Sequence, residues 1–288
     1  PFLQADGLQG CRMERQSHDA IVSLLQRVSL TSEEAKACQD LLAGMPPMWR
    51  FRDRVQLVER CICLDALLVM AWNRKKAVTL LGVEEGLDTA ARIVSLVRDL
   101  GVKSIDWDMA LGSANAWYDR LVRNLDEPDY RVRLKKLRQM EQELGRLADR
   151  FRKPERTEGL RDPERRDQVV GQMMGDAVAA LLIPRILQSQ SIAISAQQQT
   201  RNLQVAFALA AYRADHQAFP DRLELLVPAY LEEVPLDLFT AGLPVYRLVD
   251  DGYLLYSCGP DGRDNQGRTA KDQPVGDDLP IRITLGGR

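Results

Sequence analysis

The residues of this chain best placed to do chemistry are four aspartates, two at each end of a glycine-rich loop. Asp261 and Asp264 stand in the run Gly259-Pro260-Asp261-Gly262-Arg263-Asp264, and Asp277 and Asp278 close the loop at Gly276-Asp277-Asp278. Strand-like runs border the loop on both sides, so closing the hairpin brings the two pairs of carboxylates together. Several carboxylates in one place repel unless a cation neutralises them. The competing reading is a solvated acidic loop in which Asp and Gly only make turns. A structureless loop of about twenty residues is uncommon in a compact domain and asks for a reason.

Other catalytic constellations are missing from the sequence. The only histidines are His18 and His216, and neither follows a glutamate at the Glu-x-x-His spacing of di-iron bundles. There is no H-E-x-x-H, no Walker loop, no G-x-S-x-G elbow and no G-x-G-x-x-G turn. Five cysteines, Cys11, Cys38, Cys61, Cys63 and Cys258, are an odd number without metal-like spacing. Cys61 and Cys63 lie in an apolar helical run that points their side chains to different faces. Buried free thiols are the expectation, with one long-range disulfide left open.

The elements that must position these residues belong to an ordinary globular chain. It has 288 residues, 45% hydrophobic and 28% charged, with a formal net charge of -2. That charge makes no case for nucleic acid or anionic membrane as a partner. The basic run Arg131, Arg133, Lys135, Lys136 and Arg138 has acids nearby and reads as a solvated helix face. No stretch reaches the roughly 18 uninterrupted apolar residues of a membrane span. The chain begins Pro1-Phe2, and the expectation is an upstream signal or membrane anchor.

Helical periodicity dominates from Gln16 to about Gln199. Thr31-Ser32-Glu33-Glu34 is a capping box opening a helix that should stop near Gly44. Further helices are expected over 48–73, 84–100 and 107–123, and from Asp126 as N-cap to about 151. The charged segment 152–161 reads as a linker. Asp162-Pro163 starts a helix to about Ile183, where Pro184 kinks or breaks the chain before the next long helix. Trp72, Trp107 and Trp117 sit at amphipathic positions and read as core; a groove for a partner is the sharper alternative.

From Leu203 onward the pattern changes. The long helix ends at 214–217, and Asp221 caps a short helix over 222–227. Val245 to Val249 and Tyr253 to Cys258 flank Asp250-Asp251-Gly252, a D-G hairpin signal. A third strand over 279–285 alternates Ile281 and Ile283 with Arg282 and Thr284. The fold class is thus α+β: a mostly α-helical domain over 1–185, then a long helix with a small three-stranded antiparallel sheet over 186–288.

About the last hundred residues carry a family resemblance. Leu209-Ala210-Ala211-Tyr212-Arg213-Ala214-Asp215-His216 with Phe219-Pro220 resembles the end of the long helix in major pseudopilins of type II secretion systems. Leu225-Leu226-Val227-Pro228-Ala229-Tyr230-Leu231 with Val234-Pro235-Leu236-Asp237 resembles their next segment. Tyr253 to Gly262 with Gly276-Asp277-Asp278 resembles their closing strand and loop, and the same pattern recurs in bacterial envelope proteins with a long helical region first. The resemblance implies calcium in the last loop, with Asp261, Asp277 and Asp278 at the matching positions and Asp264 an extra candidate; calcium takes six to eight oxygens. There are departures: about 185 residues precede the helix, Ile186 to Thr200 is too polar for a membrane stem, and Asp237-Leu238-Phe239 replaces Asp-Pro-Trp or Asp-Pro-Phe. The implied role is a non-enzymatic, envelope-associated scaffold or protein-interaction protein on the extracytoplasmic side, meeting the membrane only through an upstream anchor. A pseudopilin-like subunit of a secretion apparatus is the second reading, and an enzyme with an unrecognised site the third.

Overall fold

The computed structural model describes residues 16–44, 51–72, 105–151, 162, 164–250 and 252–284. The expected helix over 84–100, the linker over 152–161, Trp49 and Cys11 lie outside these residues. The fold is α+β, helical for most of its length, with one long helix and a three-stranded antiparallel sheet in the order β1-β2-β3. The described residues within Met48–Gln190 form one compact unit. Those within Ala5–Pro47 and Ser191–Arg288 form the other.

The first unit is helical. Helix α3 (Phe51–Arg54) runs through a π-helical turn, Val55–Glu59, into α4 (Arg60–Trp72); α5 (Trp107–Leu125) and α6 (Tyr130–Phe151) follow. The first half of α7 (Arg166–His216) completes it. Leu67, Tyr118, Leu121, Met140, Leu144 and Ile183 are fully buried in one apolar cluster. Two glycines set the spacing of α5 and α7. A Cβ on Gly171 would collide with the Asp106 carbonyl oxygen, and one on Gly175 with that of Ala110. Small residues four apart let the two backbones approach this closely.

Three expectations for this unit change. Asp126 does not open α6, because its amide continues the preceding helix by donating to the Val122 carbonyl. Asp129 caps α6 instead, its Oδ1 accepting from the amides of Arg131 at 2.8 Å and Val132 at 3.1 Å. Pro184 does not break the chain: α7 runs unbroken through it for 51 residues. Proline removes one amide, and the surrounding burial of Ala179, Ile183 and Ile186 outweighs that loss. The division between the units therefore falls inside α7, between Gln190 and Ser191.

The second unit contains α1 (16–27) and α2 (Ser32–Ala43), which the sequence assigns to the first domain. Leu25 is buried with Leu203, Phe207 and Leu209 of α7, and Ile21, Val22, Leu30, Cys38 and Leu42 pack against the same cluster. Gln39 Nε2 donates to the Gln204 carbonyl at 3.0 Å, and Gln26 Nε2 to the Arg282 carbonyl at 2.8 Å. The capping box at Thr31 and Glu34 is present, and Gly44 ends α2. The short helix is a 3-10 turn, Leu223–Leu226, with Arg222 at its N-cap and no side-chain cap from Asp221.

The sheet pairs Val245–Val249 (β1), Gly252–Ser257 (β2) and Leu279–Thr284 (β3). Gly252 pairs with Val249, so it opens β2 and is not the turn residue of a D-G pair. A Cβ there would run into the Ile283 carbonyl oxygen of β3. Ile281 and Ile283 are buried against α7, as the alternation predicts. A polar network fixes the far end of the sheet. Gln198 Nε2 donates to Asn202 Oδ1 at 2.9 Å and to Ser257 Oγ at 2.7 Å, and Asn202 Nδ2 donates to the Leu279 carbonyl.

Among the described residues, α7 is the one helix long and apolar enough to cross a membrane. In its most apolar stretch of 18 residues, 39% is buried inside the protein. Some of its apolar side chains belong to the two cores. Gly175→Ala should lower unfolding free energy by about 2 kcal/mol, overpacking outweighing the better helix propensity of alanine. Urea unfolding measures it; a variant more stable than the parent would contradict the close helix approach.

Candidate functional site

The acidic loop is a second layer on the sheet. Strand β2 is buried on both faces. Tyr253 and Leu255 join the apolar cluster with α7. Leu254 and Tyr256, of opposite parity, lie against Gly267 of the loop, whose φ is +74°. The long loop thus lies against the outer face of β2.

Aspartates hold the loop in this shape by accepting backbone amides. Asp278 Oδ2 accepts from Asn265 at 3.0 Å and Gly267 at 2.7 Å. Asp277 Oδ2 accepts from the Asp261 amide at 2.9 Å, while the Asp277 amide donates to Asn265 Oδ1. Asp261 Oδ1 accepts from Arg263, and Asp264 Oδ1 from Gln266 and the Tyr256 hydroxyl. Arg282 donates to the Gly267 carbonyl. Glycine at 259 is required, since a Cβ would collide with the Asp277 carbonyl oxygen. All four aspartates singled out in the sequence therefore belong to one hydrogen-bonded loop.

A fifth aspartate completes the arrangement. Asp237 is buried; its Oδ1 accepts from Phe239 at 2.7 Å and its Oδ2 from the Cys258 amide at 2.8 Å. It ties the segment after the 3-10 turn to the end of β2. The turn chemistry of Asp237-Leu238-Phe239 was the available signal. The Cys258 thiol is pushed up to about 12, by burial first and then by Asp237, Asp278, Asp264 and Asp261. A thiol so placed stays protonated and is a poor nucleophile.

Two carboxylate oxygens in this loop are buried without a hydrogen-bond donor: Asp277 Oδ1 and Asp278 Oδ1. Asp278 is 2% exposed. Burial raises both carboxyls above the ordinary value of 3.8, with the charge of Asp261 adding to Asp277 and that of Asp264 to Asp278. Orphaned, desolvated acceptors surrounded by like charge fit a bound cation. The fit is confined to this pair. Among the described residues no group of three or more His, Cys, Asp or Glu side chains could hold a metal ion as placed.

The remaining candidates among the described residues lie elsewhere, with partners of their own. His18 is buried, its ring nitrogens 3.1 Å from Gln199 Oε1 and 3.2 Å from Thr200 Oγ1. His216 is exposed and meets the Tyr230 hydroxyl, which also donates to Asp215. A cavity of about 380 Å³ beside α1 and α2 is lined by Arg213 and Asp215 with Leu25, Phe219 and Tyr253, and by neither histidine. Cys63 and Cys258 are buried free thiols as expected, but Cys38 is only partly covered and Cys61 is exposed. Trp107 and Trp117 pack against the first core, whereas Trp72 is 93% exposed at the end of the described part of α4.

No family model matches this chain, and comparison with curated proteins and with solved structures returns no match to either.

The raised carboxyls make stability depend on pH in a definite direction. Their protonated forms favour the folded state. That contribution is complete below the ordinary carboxylate pKa and is lost as pH rises through the raised values. In chelator, Asp278→Asn should melt at or above the parent temperature at pH 7, and the two should converge as the pH falls toward 4. An asparagine variant that is equally destabilised at both pH values would show that Asp278 is not a buried charge at neutrality.

Proposed function

We propose that this chain is a non-enzymatic scaffold or protein-interaction protein of the bacterial cell envelope, with a pilin-like C-terminal unit whose acidic loop is set by calcium. The observation that carries the proposal is the loop itself: it folds over the sheet with Asp277 Oδ1 and Asp278 Oδ1 buried and lacking donors. The order of elements supports it, a long helix followed by a three-stranded meander. So does the residue pattern resembling major pseudopilins, which spans that helix end, the strands and the loop.

Asp277 and Asp278 would hold the ion, with Asp261 and Asp264 nearby as further negative charge. Calcium would supply the neutralising charge and the missing partners for the two orphaned oxygens. The role of Asp261 is to orient Asp277 through its amide. The ion acts on fold and surface, with no reacting atom involved.

A pseudopilin-like subunit is the second reading, favoured by the same helix and sheet. It is the weaker one because α1 and α2 pack along the part of α7 that carries Leu203 and Phe207. A polymerising subunit would need helix surface free for its neighbours.

Two measurements test the proposal. Calcium at about a hundred times its Kd should stabilise the chelator-treated protein by about 2.7 kcal/mol through mass action, and Asp277→Ala should abolish the shift while leaving the helical unit folded. A melting curve unchanged by millimolar calcium would remove the ion from the account. Fractionation of the producing cells should place the protein with the envelope and open to protease from the extracytoplasmic side; recovery in the cytosol would remove the location.

A further inference from the structure

In the first unit, an apolar groove of about 640 Å³ runs along α5 where α6 and α7 leave it open. Trp117, Met109 and Leu147 supply its apolar lining, and Asp108 and Asp176 its carboxylates. Asp176 is held in place on one side only. Its Oδ1 accepts from the Ser113 hydroxyl and, at 2.8 Å, from the Trp117 indole N–H. No cationic side chain pairs with it among the described residues. Arg120, the one cation among the described residues that line the groove, spends its charge on Glu143 in a two-pronged ion pair and lies 5.5 Å from the Trp117 ring centroid. Among the described residues the groove is thus apolar with unbalanced negative charge, Asp176 on its wall and Asp108 on the first turn of α5.

We propose that this groove binds a lysine side chain, flanked by apolar residues, from a partner protein. The ammonium meets Asp176 beside the indole, and the butyl stem lies along Met109 and Leu147. Charge complementarity selects the basic side chain. The openness of the groove selects a peptide segment over a free amine, because small ligands need most of their surface enclosed and this groove leaves much of it in water. The Gly171 and Gly175 contacts explain why the site exists here: close approach of α5 and α7 brings Asp176 within reach of Ser113 and Trp117.

The inference names the partner chemistry for the interaction role proposed above. The test reads the groove alone, so it fails independently of cell location and of calcium. The probe is the peptide acetyl-Ala-Leu-Lys-Leu-Ala-amide, followed by the NMR shift of the Trp117 indole N–H. Two variants separate binding from folding. Asp176→Asn keeps an acceptor for Ser113 and Trp117 but removes the charge. Gly112→Met fills the groove at a position where an added Cβ meets nothing within 4 Å, on a helix that methionine favours over glycine. The lysine peptide should shift the indole signal saturably, Asp176→Asn should weaken binding about tenfold, and Gly112→Met should abolish it with the melting temperature retained. The glutamate peptide acetyl-Ala-Leu-Glu-Leu-Ala-amide should leave the signal unmoved. No saturable shift, equal binding of the glutamate peptide, or binding untouched by both variants would overturn the proposal. So would n-butylammonium binding as tightly as the lysine peptide, since the apolar flanks would then contribute nothing.

Discussion

Helix α7 lends its apolar residues to two separate cores. Val170, Met174, Ala179 and Ile183 are buried in the first, and Leu203, Phe207 and Leu209 in the second. Each large buried side chain contributes roughly 1.5–3 kcal/mol, so a helix of this kind stabilises what packs on it. Apolar contact alone would allow sliding, and polar and steric contacts fix the register. Gly171 and Gly175 leave no room for a Cβ against the carbonyls they meet, and Gln198 and Asn202 bond to one end of the sheet, Gln198 also to the Leu238 amide. Buried amides with every partner in place define position more sharply than apolar surface does.

The same logic explains the acidic loop. A three-stranded sheet covered by helices on one face leaves β2 half exposed, and the stretch between β2 and β3 supplies the missing cover. Its backbone amides need acceptors once they leave water, and the aspartates provide them. Burial first, and then the charge of neighbouring aspartates, raises the carboxyls of Asp277 and Asp278 and the Cys258 thiol. The aspartates that shape the loop are the ones a cation would relieve.

How much of this was legible in the sequence depended on range. The capping box at Thr31, the strands around 245–257 and the Ile281/Ile283 alternation are local signals of period or capping, and the structure carries them where expected. The placement of α1 and α2 was not legible. It depends on contacts such as Gln39 with Gln204, 165 residues apart, that no local pattern encodes. Pro184 misled because the cost of a lost amide is local while the burial that offsets it comes from other helices. In the loop, the four aspartates could be grouped by sequence, but not the division of labour among their oxygens. The covering role of Gly267, and the bond from the Cys258 amide to Asp237, emerge only when the strand faces are known. For the groove, Trp117 read first as core; its indole partner Asp176 lies 59 residues away on another helix.

Hydrogen exchange at the backbone amides of Asp261, Asn265, Gly267 and Asp277 tests the central claim most directly. Loop carboxylates hold the first three, and Asn265 Oδ1 holds the amide of Asp277. If a cation sets the loop, the four should exchange slowly in calcium and together become fast in chelator. The amides of Leu255 and Ile281 in the sheet should change little. Equal exchange at the four loop amides with and without calcium would contradict the account.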